Sequence, residues 1–227
     1  MSYGQAQFFR GALFALAVFV IAGCNGLFFH PQKELTTNPV AEKFEPQDVF
    51  FKTADGLTLH GWFILTPDSA GTVLVFHGNA ENLVTHVNSV LWLVKEGFNV
   101  FIIDYRGYGR SEGTSTVEGI MLDGRAALDT VFSLNGVEPG RVAVLGQSLG
   151  GAVAIHTVAT APRSRDVRAV IVDSTFSGFR SIAREKLGSF FLTWPLQYPL
   201  SLLFTNEYSP QEWIPRISPV PLLILPA

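Results

Sequence analysis

A serine in a glycine-flanked turn is the strongest chemical signal in the sequence. Ser148 lies in "GQSLG", directly after the apolar run 142–145 and before the small-residue stretch "GAVAI". A strand, a tight turn and a helix in that order hold a serine hydroxyl exposed on a strained backbone, which is the geometry of a nucleophile elbow. The pattern therefore predicts a nucleophilic Ser148. The alternative is an ordinary glycine-rich turn between a strand and a helix.

A second loop offers what a nucleophilic serine needs next, a site for negative charge. The segment "HGNA", from His77 to Ala80, follows the apolar run 72–76, whose strand we expect beside that of the serine. Backbone N–H groups of this loop can converge with the N–H of Leu149 on an oxyanion, and Asn79 is the expected donor. Because His77 lies within this loop, we expect it to have a structural role.

The glycine- and arginine-rich stretch "DYRGYGRSEG", from Asp104 to Gly113, also follows an apolar run. It resembles a phosphate-binding loop in composition. A P-loop, however, ends in Gly-Lys followed by Ser or Thr, and this stretch does not. We therefore interpret it as a packed turn.

The elements that must position these residues alternate along the chain. Residues 48–53 and 57–65 predict an antiparallel hairpin around the Asp55-Gly56 turn. Short apolar runs without alternation, typical of parallel strands covered on both faces, then follow at 72–76, 100–103, 142–145, 169–172 and 222–225. Apolar residues spaced three to four apart predict helices at 83–96 and 117–134. The fold class is α/β, a mostly parallel sheet with an N-terminal antiparallel hairpin and helices on both faces.

Composition agrees with one folded domain and argues against one class of partner. The chain has 227 residues, of which 48% are hydrophobic and 15% are charged, enough for one sizeable core. Its net charge of −3 leaves no basic footprint for nucleic acid. With Cys24 as the only cysteine, an intrachain disulfide is impossible.

Residues 1–23 are predicted to be a targeting segment rather than part of the fold. An apolar run follows Arg10 and ends in "IAGC", which resembles the lipobox of bacterial lipoproteins and implies cleavage before Cys24 and lipidation of its sulfur. An uncleaved signal anchor over 11–29 is the alternative, because about 19 helical residues span about 28 Å, close to the hydrocarbon core. Simple secretion is a third possibility. All three place the folded domain on the extracytoplasmic, periplasmic side.

Six motifs in a fixed order resemble the α/β-hydrolase superfamily: "FFHP", "DGLTLHGWF", "TVLVFHGNAEN", "DYRGYGRSEG", "GQSLGGAVA" and "DSTFSG". They look like the membrane-associated α/β-hydrolase-domain proteins, which include protein depalmitoylases and serine-aminopeptidase-like enzymes. The resemblance implies a serine hydrolase acting on an acyl ester, thioester or amide, without cofactor or metal. It implies Ser148 as nucleophile and the backbone of Asn79 and Leu149 as oxyanion donors. Residues 24–47 would then be a tether and lead-in, and 48–227 the hydrolase domain.

In that family, a loop after the strand matching 222–225 carries the triad acid, and a last strand and helix follow with the histidine. We therefore expect a fold without that last strand and helix, incomplete at its C-terminus. His156 lies eight residues after Ser148, about 12 Å along a helix and beyond the reach of a general base. None of the five histidines stands at the family's base position; besides His156 they are His30, His60, His77 and His86. Asp173 is expected to be structural.

Three interpretations remain open for the function. The first is an acyl hydrolase whose sequence is incomplete. The second is a non-catalytic membrane-tethered binding protein, or a decaying remnant of a hydrolase, and the third is an active variant with another base. Because a serine hydroxyl needs an adjacent base, we expect this chain to be inactive or nearly so. The aromatic stretch 188–204 either contacts an acyl chain or a membrane, or only packs onto the sheet.

Overall fold

The computed structural model describes residues 29–189, 191 and 193–226. The strands are β1 His30–Pro31, β2 Gln47–Lys52, β3 Thr58–Ile64, β4 Gly71–Phe76, β5 Ala80–Glu81, β6 Phe98–Asp104, β7 Val142–Gln147, β8 Val167–Asp173 and β9 Leu222–Leu225. The α-helices are α1 Pro39–Glu42, α2 Leu83–His86, α3 Leu91–Lys95, α4 Val117–Val131, α5 Leu149–Thr160, α6 Phe179–Gly188, α7 Gln197–Ser201 and α8 Pro210–Trp213. Short 3₁₀ turns occur at Val87–Ser89, Ser164–Asp166, Trp194–Leu196 and Ile214–Arg216.

The central sheet has the strand order β2-β3-β6-β4-β7-β8-β9. Its first two pairings, β2 with β3 and β3 with β6, are antiparallel, and the remaining pairings are parallel. Each of the five predicted apolar runs lies within a strand, and the hairpin is present. The predicted fold class is therefore confirmed. The strand order also places β4 beside β7 in parallel. The loop 77–80 and the turn at Ser148 therefore follow the ends of neighbouring strands at the same edge of the sheet.

Helices cover both faces of the sheet. One apolar core joins α4 and α5 to side chains such as Leu74 and Val144, while the other joins α2 and α3 to Val73 and Val75. Successive residues of β4 thus enter opposite cores, as the alternation of a strand requires. All six residues of β4 are buried, which explains why its sequence shows no polar alternation.

The helix predicted over 83–96 is broken in the structure. It consists of α2, the 3₁₀ turn Val87–Ser89 and α3, and Val90 between them has the non-helical angles φ −121° and ψ −2°. The side chain of Asn38 donates to the carbonyl of Val84 at 2.6 Å, an acceptor that a continuous helix would pair with the N–H of Asn88. The break therefore accompanies a contact between residues 46 positions apart.

Several large side chains of the aromatic stretch 188–204 are exposed. Their solvent-exposed fractions reach 76% for Phe191, 60% for Trp194 and 63% for both Tyr198 and Leu202. Packing onto the sheet therefore does not account for these side chains. Among the described residues, none of the helices is long and apolar enough to cross a bilayer. The predicted targeting segment and Cys24 lie outside the described residues.

Candidate active site

Ser148 lies at the junction between β7 and α5 with a backbone that most residues avoid. Its φ is 52° and its ψ is −113°, and a side chain in such a sparsely populated region costs about 1–3 kcal/mol. Neighbouring groups hold the backbone there. The N–H of Ser148 donates to the carbonyl of Asp173 at 2.8 Å, and its carbonyl accepts the Thr175 hydroxyl at 2.8 Å. This is the backbone geometry that the sequence predicted for the turn at Ser148.

The two glycines that flank the serine allow the elbow to form. A Cβ on Gly150 would collide with the carbonyl oxygen of Phe76 and lie 2.8 Å from that of His77, while a Cβ on Gly146 would collide with the backbone of Gly150. The first turn of α5 therefore packs directly against the end of β4. This close approach brings Ser148 next to the loop that follows β4.

The predicted oxyanion loop lies beside the serine. The position that a Cβ would occupy on Gly78 is 3.9 Å from Ser148 Cβ and 3.5 Å from His86 Cε1. Leu149 is the first residue of α5, where a backbone N–H has no intrahelical acceptor. The structure thus brings together Ser148, Leu149 and the loop that contains Asn79.

Within the described part of the chain, no histidine makes a hydrogen bond to Ser148 Oγ. The ring of His77 is buried, and its Nδ1 donates to the carbonyl of Gly78 at 2.7 Å. His86 donates from Nε2 to the carbonyl of Ala80 at 2.8 Å, and burial lowers its pKa, with the neighbouring His77 adding to the effect. His60 lies on β3, 2.7 Å from the Asp48 carboxylate. All three rings are engaged by the fold.

His156 packs against two aromatic residues near α8. Its ring lies edge-on to Tyr208 and Trp213, with centroid distances of 5.4 and 4.7 Å, and its Nδ1 is buried without a hydrogen-bond partner. Burial lowers the pKa of His156 to about 4, and the charge of Arg125 contributes. His156 is therefore a packing residue that resists protonation.

This environment predicts a pH dependence of stability. The pKa of His156 is about 4 in the folded chain and about 6.5 when unfolded. Below pH 6.5 the unfolded chain therefore binds a proton that the folded chain does not, and the free energy of unfolding falls as the pH decreases from 6.5 toward 4. We expect His156→Phe to remove this loss, on the order of 1 kcal/mol because the ring is only partly buried. Urea unfolding at pH 5 and pH 8 measures it. An equal effect of the substitution at both pH values would contradict the assignment.

Asp173 supports the elbow through its backbone. Besides the carbonyl that accepts the Ser148 N–H, its carboxylate accepts the Ser174 hydroxyl at 2.8 Å and the Gln147 amide at 3.3 Å. These contacts support the structural role expected of Asp173.

Among the described residues, no group of three or more His, Cys, Asp or Glu side chains is placed to hold a metal ion.

A cavity of about 240 Å³ lies beside these elements. His86, Gln147 and Asp173 give it a polar side, while Trp92 and Leu225 are among its apolar lining residues. Its lining therefore combines polar and apolar surface, and it includes Gln147, the residue before Ser148.

Two residues that support the site, Tyr105 and Tyr108, were not predicted from the sequence. The stretch from Asp104 onward is a packed turn, as interpreted, but its tyrosines reach the loop after β4. The hydroxyl of Tyr105 donates to the carbonyl of His77 at 2.9 Å, and that of Tyr108 donates to the carbonyl of Asn79 at 2.6 Å. The only sequence signal was that these tyrosines follow an apolar run. Their contact with the loop after β4 could not be predicted from it, because that contact depends on β6 lying beside β4.

Comparison with known proteins places this arrangement among hydrolases. The model of the family described as serine aminopeptidase, S33, matches residues 67–210. The chain is similar to YfhR of Salmonella typhi, at 37% identity over 94% of this chain and 75% of that protein. It is also similar to the α/β-hydrolase domain-containing protein WAV2 of Arabidopsis thaliana, at 33% identity over 86% of this chain and 65% of that protein. A solved structure, the Pyrococcus furiosus esterase Pf2001, shares the fold with a TM-score of 0.62 and 22% identity, over 88% of this chain and 89% of that one.

Proposed function

The chain belongs to the serine aminopeptidase S33 family of α/β hydrolases, and from that premise we propose that it hydrolyses an acyl ester, thioester or amide through Ser148. In this proposal, Ser148 Oγ attacks the acyl carbon and the leaving group departs as the alcohol, thiol or amine. Water then releases the acid from the serine. The N–H groups of Asn79 and Leu149 stabilise the oxyanion.

The observation that carries the proposal is the elbow itself. A positive φ at a non-glycine residue is strained, and the surrounding structure must maintain it. Around Ser148, two hydrogen bonds, with Asp173 and Thr175, and the close backbone packing at the two flanking glycines maintain it. Strain of this kind is concentrated at functional sites. An ordinary turn between a strand and a helix needs no such support.

A fluorophosphonate probe tests the proposed nucleophile, because it reacts covalently with activated serines. We expect slow labelling of the 227-residue chain that mass spectrometry locates at Ser148 and that Ser148→Ala abolishes. Ser174→Ala is the matched control, since Ser174 also has a positive φ, 54°, at the end of a neighbouring strand. Labelling that survives Ser148→Ala, or that is lost in Ser174→Ala, would overturn the assignment.

A non-catalytic binding protein is the second candidate function. The absence of a histidine hydrogen bond to Ser148 Oγ among the described residues favours it, because the hydroxyl alone is a weak nucleophile. On this view, acyl compounds bind but p-nitrophenyl esters turn over slowly, with little change in Ser148→Ala. Turnover at ordinary enzyme rates that disappears in Ser148→Ala would exclude this candidate.

The chain is also proposed to be held at a membrane, with the hydrolase domain on the extracytoplasmic side. The lipobox-like "IAGC" before Cys24 supports this placement. So do the exposed aromatic and leucine side chains near the C-terminal end of the described chain, which suit a membrane interface: Phe191, Trp194, Leu196, Tyr198, Leu202 and Leu203.

Lipidation is the testable part of this placement. We expect labelled fatty acid to be incorporated into the full chain in bacterial cells, and this label to be lost in Cys24→Ser. A lipid joined to the Cys24 sulfur by a thioether, with a fatty acid on the new amino group, requires cleavage before Cys24. Mass spectrometry of the membrane fraction should therefore find Cys24 as the N-terminal residue. Unchanged labelling of Cys24→Ser, or an intact Met1 in that fraction, would contradict lipidation at this residue.

A further inference from the structure

We propose that four buried or half-buried side chains hold each carbonyl of the loop 77–80 and thereby orient its N–H groups toward the oxyanion. This loop holds the residue proposed above as an oxyanion donor, so the inference rests on the proposed function. The four side chains are those of Tyr105, His77, Tyr108 and His86. They act on the loop and not on the substrate, and are therefore positioning residues.

Two of the four contacts come from the turn after β6. The hydroxyl of Tyr105 holds the carbonyl of His77 at 2.9 Å, and that of Tyr108 holds the carbonyl of Asn79 at 2.6 Å. Both rings are fully buried. Their centroids lie 5.8 Å apart in an edge-on arrangement. The two hydroxyls therefore have little freedom, and the carbonyls that they hold are fixed in direction.

Two histidines hold the remaining carbonyls. The Nδ1 of His77 contacts the carbonyl of Gly78 at 2.7 Å, and the Nε2 of His86 contacts that of Ala80 at 2.8 Å. Since a carbonyl oxygen can only accept, both nitrogens carry a hydrogen. The rings stack with centroids 4.8 Å apart and an angle of 17° between their planes. Each ring thus limits the movement of the other.

A buried carboxylate stands behind this pair. Asp104 is fully buried, with Oδ1 3.4 Å from Nε2 of His77 and Oδ2 3.9 Å from Nδ1 of His60. Its Oδ1 also accepts the N–H of Leu83 at 2.8 Å. Burial raises the pKa of Asp104, but the two histidines and this N–H lower it more, so that it lies below its usual range. A fixed negative charge therefore faces the far side of the His77 ring.

Peptide geometry converts these contacts into an orientation for the oxyanion donors. In a trans peptide, the C=O of one residue and the N–H of the next point in opposite directions. Because His77 takes the carbonyl of Gly78, the N–H of Asn79 points away from the His77 ring. The missing Cβ of Gly78 lies 3.9 Å from Ser148 Cβ, so this peptide adjoins the serine. Preorganised donors of this kind need no reorientation when charge develops.

Tyr108→Phe tests the inference, because it removes one hydroxyl and keeps the ring packing. The measurement is the saturation kinetics of fluorophosphonate labelling of the full chain, which separates probe binding (KI) from the rate of serine phosphonylation (kinact). We expect kinact to fall about tenfold, as for a slightly misplaced catalytic group, with KI within about twofold. Tyr208→Phe is the matched control and should change neither value, because Tyr208 packs against His156.

Amide hydrogen exchange provides a second measurement that needs no reactivity. In Tyr108→Phe, the amides of His30 and Gln32, which donate to the carbonyls of Asn79 and Glu81 at 3.4 and 3.0 Å, should exchange at least about tenfold faster, while those of β4 and β7 keep their protection. Unchanged kinact in a labelled chain, or unchanged exchange of these two amides, would overturn the inference. A wild-type chain that is not labelled at Ser148 would instead refute the proposed function, and the exchange result would then decide the inference alone.

Discussion

Gly150→Ala is expected to destabilise the chain by about 3 kcal/mol, the upper end for overpacked interiors, and to prevent labelling of Ser148. The added Cβ would collide with the carbonyl oxygen of Phe76 and lie 2.5 Å from its carbonyl carbon and 2.8 Å from the oxygen of His77. These are backbone atoms at the end of a central strand, which cannot move without disturbing both neighbouring strands. The first turn of α5 must therefore shift, and the serine shifts with it.

Urea unfolding and the labelling rate measure these two effects. Gly188→Ala is the matched control, because its Cβ would approach only the flexible tip of Gln197, at 2.9 Å from Oε1. We expect that control to remain within about 1 kcal/mol of the wild-type chain. If Gly150→Ala were as stable and as reactive as Gly188→Ala, the close approach of α5 to β4 would not be needed for the elbow.

Asp123→Ala is expected to lower the free energy of unfolding by about 3–5 kcal/mol, the range for breaking a buried ion pair. The Asp123 side chain is fully buried and accepts from the Arg106 guanidinium at 2.8 and 2.9 Å and from its backbone N–H at 2.8 Å. Only 8% of the Arg106 side chain is exposed. Without Asp123, the guanidinium and a backbone N–H lose their buried partner. Arg106 lies between Tyr105 and Tyr108 in the chain, so labelling of Ser148 should slow as well.

The same arginine provides the control for this prediction. Asp55 also pairs with Arg106, at 2.8 Å, but its side chain is 40% exposed. Water can replace that contact, and we expect Asp55→Ala to cost less than about 1 kcal/mol. Urea unfolding of the two variants under the same conditions makes the comparison. Equal losses would mean that burial of Asp123 does not decide its contribution.

The elements that depend on neighbouring residues were predictable from the sequence. Each apolar run lies in a strand, the hairpin forms around Asp55-Gly56, and Ser148 takes its strained backbone between Gly146 and Gly150. The spacing of apolar side chains and of glycines is a pattern within a few neighbouring residues, so it can be seen in a single sequence. The same reasoning predicted that the loop containing Asn79 lies next to Ser148, as the structure shows.

The tertiary structure alone decided what joins residues far apart in the chain. Asn38 donates to Val84, in the broken helix, from 46 residues away, and Tyr108 holds the carbonyl of Asn79 across 29 residues. Such contacts follow from the order β6-β4-β7 and from which side chains the packed turn leaves facing the loop. Neither is encoded in a local period, because a hydroxyl that reaches a carbonyl has the same sequence signature as one that reaches water. Residue type and spacing therefore predicted the strained turn at Ser148, while the fold determined which side chains surround it.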